Sequence, residues 1–280
     1  MTNLETFVYW ISERESVRLK KEAGKPKPWT DDPILRDYKF CNVEREQDRV
    51  TKWIKEQWRS QHATHPNLWF AMVVARLFNW PDTLQTIGFP TINYPALKEG
   101  WRSRLKHSRD VEHKKIFTGA YLVSTNGTKM DKIDYILDVI LDPIWANGKS
   151  PAALGADSLE AYWNHLITFN GLGSFMSGQV VADLKYIDPV LIEAIDWWTF
   201  APLGPGSKRG LNRVFERPLT NTIRQETALV EFRELQKLVE RELNWLLPAH
   251  DIQNCCCEVD KYLRVKNNEG EPRSKYPGAK

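Results

Sequence analysis

Leu166-Ile167-Thr168-Phe169-Asn170-Gly171-Leu172-Gly173-Ser174-Phe175-Met176-Ser177-Gly178 is the stretch on which the fold turns. Upstream of it Leu159, Tyr162, Trp163 and Leu166 recur at helical spacing, and a second apolar helix is expected downstream. Two glycines flanking one aliphatic residue allow a tight turn between helices, with Leu172 pinning the turn to the core. The amides of Gly171, Gly173 and Ser174 would then face outward at the start of the second helix. Such a group can hold a DNA phosphate without reading sequence. An ordinary corner between two helices accounts for the glycines equally well. A dinucleotide-binding glycine loop does not, because that motif follows a strand.

Outward from the turn, helical spacing continues in both directions. Leu4, Phe7, Val8 and Ile11 share one face, as do Ile133, Ile136, Leu137, Ile140 and Leu141. Helices are predicted over 43–60, 66–78, 96–109, 159–169, 175–186, 189–197 and 227–247. Breaker-rich segments over 24–33, 88–95, 147–155 and 202–210 separate them. In the last helix Phe232, Leu235, Val239 and Leu246 are expected to form the buried stripe, and Arg233, Glu234, Lys237 and Glu240 the solvated face. No segment alternates as a strand would. The expectation is an all-α chain with one helical domain over 1–265, the hairpin near 159–186, and a flexible polar tail over 266–280.

The 280 residues, 42% hydrophobic and 27% charged, suffice for a large helical core and argue against disorder. No run of roughly 18 apolar residues could span a bilayer, and Met1 to Trp10 does not read as a signal peptide. A soluble, intracellular protein with no membrane partner is expected. A net charge of +3 means that attraction to nucleic acid must come from local clusters. Cys41 lies far from Cys255, Cys256 and Cys257, a pattern that is neither a disulfide framework nor a set of spaced metal ligands. Most of the twelve tryptophans are expected in the core, while Trp29, Trp197 and Trp198 stand beside loop signals.

Three further segments carry chemistry. Asp196 follows the hairpin and precedes a run in which Gly204, Gly206 and Gly210 accompany Lys208, Arg209 and Arg213. Such amides and cations suit a phosphate or pyrophosphate, although a solvated basic turn would have the same composition. Asp196 reads as a catalytic carboxylate or as a cap. In the N-terminal part, the Pro- and Trp-containing approach through Trp29 leads to Asn42. If Asn42 caps the next helix, Arg45 and Arg49 lie one turn apart on one face with Asp48 adjacent. An exposed lattice of charges is the alternative. Near the C-terminus Glu258, Lys261 and Tyr262 stand at helical offsets. Glu258 or Asp260 could accept a proton and Lys261 could neutralise phosphate, or the group could be a salt-bridged surface.

The hairpin followed by a Gly/Pro-rich loop and an aspartate resembles the helix-hairpin-helix DNA glycosylase superfamily. Ser174, Phe175 and Met176 stand where bifunctional members carry a lysine, so Schiff-base lyase chemistry is disfavoured. The combination of Gly24 to Leu35, Phe40 to Arg49, the Gly171-Leu172-Gly173 hairpin leading to Asp183, Gly204 to Leu211 and Cys257 to Tyr262 is similar to bacteriophage DNA-hypermodification proteins. Two groups compete. One is the α-glutamyl/putrescinyl-thymine pyrophosphorylases, also called amino acid:DNA transferases. The other is the helical domain associated with 5-hydroxymethyluridine DNA kinases. The chain has no Gly-x-x-x-x-Gly-Lys-Ser/Thr phosphate loop, which favours the transferase.

That resemblance implies an enzyme in the cytoplasm of an infected bacterium. It would displace pyrophosphate from 5-pyrophosphorylmethyl-uracil in DNA with the amine of an amino acid or polyamine, acting on a base taken out of the stack. Asp196, Asp183, Glu258 and Asp48 become the catalytic candidates, and Arg45, Arg49, Arg209 and Lys261 the pyrophosphate ligands. Gly171, Gly173, Ser174, Gly204, Gly206 and Lys208 would contact DNA, with Trp29 and Asn42 in the substrate pocket. No cofactor is implied, and a divalent metal is left open. A monofunctional glycosylase using Asp196, or a non-catalytic DNA-binding partner of a kinase, are the alternatives.

Overall fold

A computed structural model describes residues 1–119, 123–272 and 274–276. The regular elements among the described residues are all helices, and one isolated β-bridge pairs Tyr38 with Lys275. In chain order the helices are α1 (Asn3–Glu22), α2 (Pro33–Asp37), α3 (Arg49–Ile54), α4 (Leu68–Phe78), α5 (Pro81–Ile87), α6 (Tyr94–Asp110), α7 (Lys132–Asp134), α8 (Asp142–Asn147), α9 (Pro151–Leu154), α10 (Leu159–Leu166), α11 (Ser174–Leu184), α12 (Pro205–Val214), α13 (Gln225–Leu243) and α14 (Ala249–Lys266). Two π-helical stretches, Lys55–Arg59 and Tyr135–Leu141, continue α3 and α7. The chain forms two compact units. One joins Met1–Asp48 to Trp198–Lys280, and the other is the continuous segment Arg49–Trp197.

In the first unit, α1 starts where the sequence supplies a reciprocal cap. The Glu5 amide donates to Thr2 Oγ1 at 3.2 Å, and the Thr2 amide donates to Glu5 Oε2 at 2.6 Å. Phe7, Trp10 and Ile11 face the core, where they join Phe232, Leu235 and Val239 of α13 and Ile252, Cys255, Cys256 and Val259 of α14. The solvated face predicted for α13 stays exposed. Leu246 does not join its stripe: Asn244 takes φ +50°, ends the helix in a left-handed cap, and leaves Leu246 half-exposed beyond it.

The glycines of 204–210 have a different use from the one expected. They do not form an anion loop but open α12, and that helix lies directly on α14. A Cβ at Gly206 would stand 2.4 Å from Cys257 Sγ, and one at Gly210 would stand 2.0 Å from the Cys256 carbonyl oxygen. Only hydrogen atoms on those α-carbons allow the two helices to approach so closely.

In the second unit, α4 is buried on every face, as a helix apolar all round must be. The predicted helix over 43–60 is broken into a 3-10 turn at Arg45–Gln47, extended backbone at Asp48, then α3 and its π-helical continuation. The predicted helix over 189–197 reduces to a 3-10 turn at Leu191–Glu193. Asp188 Oδ1 accepts from the Val190 and Leu191 amides and turns the chain there. The hairpin joins α10 to α11. Gly171 adopts φ +82° against Ile140, Leu172 is fully buried, and Ser177 Oγ donates to the Leu172 carbonyl at 2.5 Å.

Candidate functional site

In the first unit the segment from Phe40 to Asp48 is laid across α14 and fastened by one stripe of that helix. Asp251 Oδ1 accepts from the Arg45 amide at 3.0 Å. Asn254 Nδ2 donates to the Asn42 carbonyl at 3.0 Å, and Glu258 Oε2 accepts from the Cys41 amide at 3.0 Å. Residues 251, 254 and 258 follow helical spacing, so three polar side chains on one face suffice to hold an irregular segment. From the opposite side the buried Arg14 of α1 donates Nε to the Cys41 carbonyl at 3.0 Å and Nη2 to the Phe40 carbonyl at 3.3 Å, and it also binds the Asn42 side-chain oxygen.

Asn42 closes this segment on itself and caps no helix. Its amide donates to Asp48 Oδ1 at 2.8 Å and its Nδ2 to the Gln47 carbonyl at 2.7 Å. Arg45 and Arg49 therefore do not share a helical face, because the extended Asp48 separates them. Burial pushes the Asp48 carboxyl up to about 6. The Glu258 charge adds to the rise, against the Asn42 amide and the Arg45 and Arg14 cations. Burial works against the Lys261 ammonium, but Glu258 more than offsets it, and Lys261 bonds Glu258 Oε1. The site thus sets a carboxyl raised to about 6 and the Lys261 ammonium, whose charge is favoured, around Glu258.

Arg209 stands at the edge of the same cluster. Its Nε donates to the buried Asp260 at 3.0 Å, beside the Arg213 Nε at 2.8 Å. Burial and Glu258 raise the Cys257 thiol to about 11, with Lys261 and Arg209 pulling it down, which puts both cations within electrostatic reach of that sulfur. Among the residues expected from sequence, Asn42, Arg45, Asp48, Glu258, Lys261 and Arg209 are brought together here.

The remaining candidates lie elsewhere. Asp183 is fully buried in the second unit, where Arg76 Nε meets it at 2.6 Å and Arg76 Nη2 at 2.5 Å, with Arg59 Nη1 at 3.8 Å. This ion pair ties α11 to α4 inside the core and reaches no solvent. Asp196 accepts from the Leu159 amide at 2.7 Å and the Glu160 amide at 3.0 Å, so both its oxygens cap α10. Arg49 packs 5.8 Å from the Trp80 ring. Gly171, Gly173 and Ser174 sit at the hairpin of the second unit. In the first unit the Gly204 amide donates to Ser207 Oγ at 3.0 Å, Gly206 is against Cys257, and Lys208 is half-buried.

Trp29 lines an open cleft of about 770 Å³ with Tyr9, Glu13, Lys20 and Asp32. Asp32 gives one oxygen to the Ile34 and Leu35 amides and the other to the Tyr9 and Tyr262 hydroxyls, at 3.1 and 2.7 Å. Sequence reasoning missed Arg14, Cys41, Asp251 and Asn254. Arg14 had a legible signal, since it falls on the buried register of Phe7, Trp10, Ile11 and Val17. Among the described residues no group of three or more His, Cys, Asp or Glu side chains is placed to hold a metal ion, and no helix is long and apolar enough to cross a membrane.

The family model described as "5-hmdU DNA kinase, helical domain" matches residues 2–271. A 5-hmdU DNA kinase of Bacillus phage SP10 is 28% identical over 297 aligned positions, covering 94% of this chain and 45% of that protein. The chain therefore spans about half the length of this curated relative. No solved structure matches it significantly. The chain belongs to the family of 5-hmdU DNA kinase helical domains.

Proposed function

We propose that the chain serves bacteriophage thymidine hypermodification by acting on the 5-substituent of a uracil-type base in DNA, with Asp48 as proton acceptor. The observation that carries this reading is the geometry of the Phe40–Asp48 segment, in which Asp48 Oδ1 accepts from the Asn42 amide at 2.8 Å and Glu258, bonded to Lys261, accepts from the Cys41 amide at 3.0 Å, with burial raising the Asp48 carboxyl to about 6. A general base is most effective when its pKa lies near the working pH. In the group-transfer form, an amine nitrogen attacks the exocyclic methylene carbon of 5-pyrophosphorylmethyl-uracil. The carbon–oxygen bond breaks, pyrophosphate leaves with the electron pair, and the nitrogen gives its proton to Asp48. Arg45, Lys261 and Arg209 would stabilise the departing charge. The hairpin amides around Gly171 and Gly173 would hold the DNA backbone, as in the helix-hairpin-helix glycosylase-like reading.

The test incubates the purified chain with pyrophosphorylated DNA and candidate amino acids or polyamines, then analyses the nucleosides by mass spectrometry. A new amine-bearing nucleoside that is lost in Asp48→Asn supports the transfer. Pyrophosphorylated nucleoside recovered unchanged with every amine sinks it.

The kinship with a 5-hmdU DNA kinase favours a second reading, in which the chain binds 5-hydroxymethyluracil DNA and leaves the chemistry to a kinase. In that case it binds such DNA, yields no new nucleoside, and Asp48→Asn alters affinity alone.

A further inference from the structure

The second unit holds a cleft of about 470 Å³ whose walls include the half-buried indoles of Trp53 and Trp80. Lys115 lies 4.6 Å and Arg49 5.8 Å from the centre of the Trp80 ring, and Arg49 and Lys52 line the cleft beside it. Aromatic rings continue away from Trp53. Trp58 is 6.3 Å from it, Phe89 is 5.7 Å from Trp58, and His62 stacks on Phe89 at 3.8 Å with 18° between planes. Trp53 is the last residue but one of α3, just before the π-helical turn Lys55–Arg59, a departure from α geometry that re-aims the side chains following it.

We propose that this face is a track for single-stranded nucleic acid, with unpaired bases stacking on Trp80 and Trp53 and phosphates meeting Arg49 and Lys115. Half-exposed indoles beside flexible cations are what an unstacked base requires, because any base offers a π-face and the cations follow the backbone. Glu56 and Asp82 share the rim, so the cleft is only weakly positive. Stacking must then supply more of the affinity than release of counterions. This site lies in a different unit from Asp48, and its occupation is read without any base chemistry, so failure of the transfer reaction would leave it standing.

The test titrates the full chain into a dye-labelled oligothymidylate and follows anisotropy and tryptophan quenching. Binding is expected to weaken only about tenfold between 50 and 200 mM salt, as for two or three phosphate contacts. Trp80→Ala and Trp53→Ala should each weaken it about tenfold or more, with Trp80→Phe close to the unmodified chain. Arg49→Gln and Lys115→Gln change exposed side chains and should flatten the salt dependence without altering thermal unfolding. A tighter hold on the deoxyribo- than on the ribo-oligonucleotide assigns the track to DNA, and the reverse assigns it to RNA. Affinity and quenching unchanged in folded Trp53→Ala and Trp80→Ala proteins, or no binding by the unmodified chain, overturn the proposal.

Discussion

At the scale of single residues, Asp48 links stability to pH in a direction opposite to that of most carboxylates. Its pKa is raised in the folded state, so the folded chain retains the proton where the unfolded chain has lost it. Stability should fall as pH rises from about 4 to about 6, with the full cost, on the order of 1–3 kcal/mol, present above that window. Asp48→Asn keeps an oxygen for the Asn42 amide and removes the charge. It should therefore raise the melting temperature at pH 7.5 and change it little at pH 4, as calorimetry would register. The Asp183 pair makes the contrasting case. Asp183→Ala leaves Arg76 and Arg59 buried without their carboxylate and should cost about 3–5 kcal/mol in denaturant unfolding. Little of this could be read in the chain. Asp183 follows the apolar run Val180-Val181-Ala182 and Asp48 follows Glu46 and Gln47, but the partner that makes Asp183 a core ion pair, Arg76, lies more than a hundred positions away.

At the scale of elements, the helices were legible and their ends were less so. The 3.6-residue spacing of Phe232, Leu235 and Val239 or of Leu159, Tyr162 and Leu166 predicts α13 and α10 because one buried face dictates it. Glycine use was ambiguous. The same residue type makes the left-handed turn at Gly171 and the bare contact surface at Gly206 and Gly210, and composition cannot distinguish a flexible loop from a close helix crossing. Gly210→Ala should force α12 off α14 and cost about 1–3 kcal/mol or more, with a lowered urea midpoint as the measure. Asp196→Ala should cost about 0.5–2 kcal/mol through loss of the α10 cap. If its effect on product formation exceeds what that loss of folded protein explains, Asp196 acts in chemistry as well.

At the scale of the whole molecule, the segment Arg49–Trp197 is continuous and carries its own core around α4, whereas the other unit is assembled from two distant stretches. Residues 49–197 expressed alone should accordingly give a helical circular-dichroism spectrum and a cooperative melt, and a non-cooperative trace would contradict that. The all-α class was readable from periodicity. The division was not, because no linker-like composition marks residue 48 or 198.

The fastening of Cys41, Asn42 and Arg45 by Glu258, Asn254 and Asp251 has a consequence in time as well as in space. A ribosome delivers the first three long before the last three. Until then the nascent Phe40–Asp48 segment has the contacts from Arg14 and its own Asn42–Asp48 bond but not those from α14, while Arg49–Trp197 can already collapse on itself. The Glu258 charge, which adds to the effect of burial on the Asp48 carboxyl, arrives only when α14 has emerged. A product terminated before α14 would therefore lack the three contacts that fasten Cys41, Asn42 and Arg45.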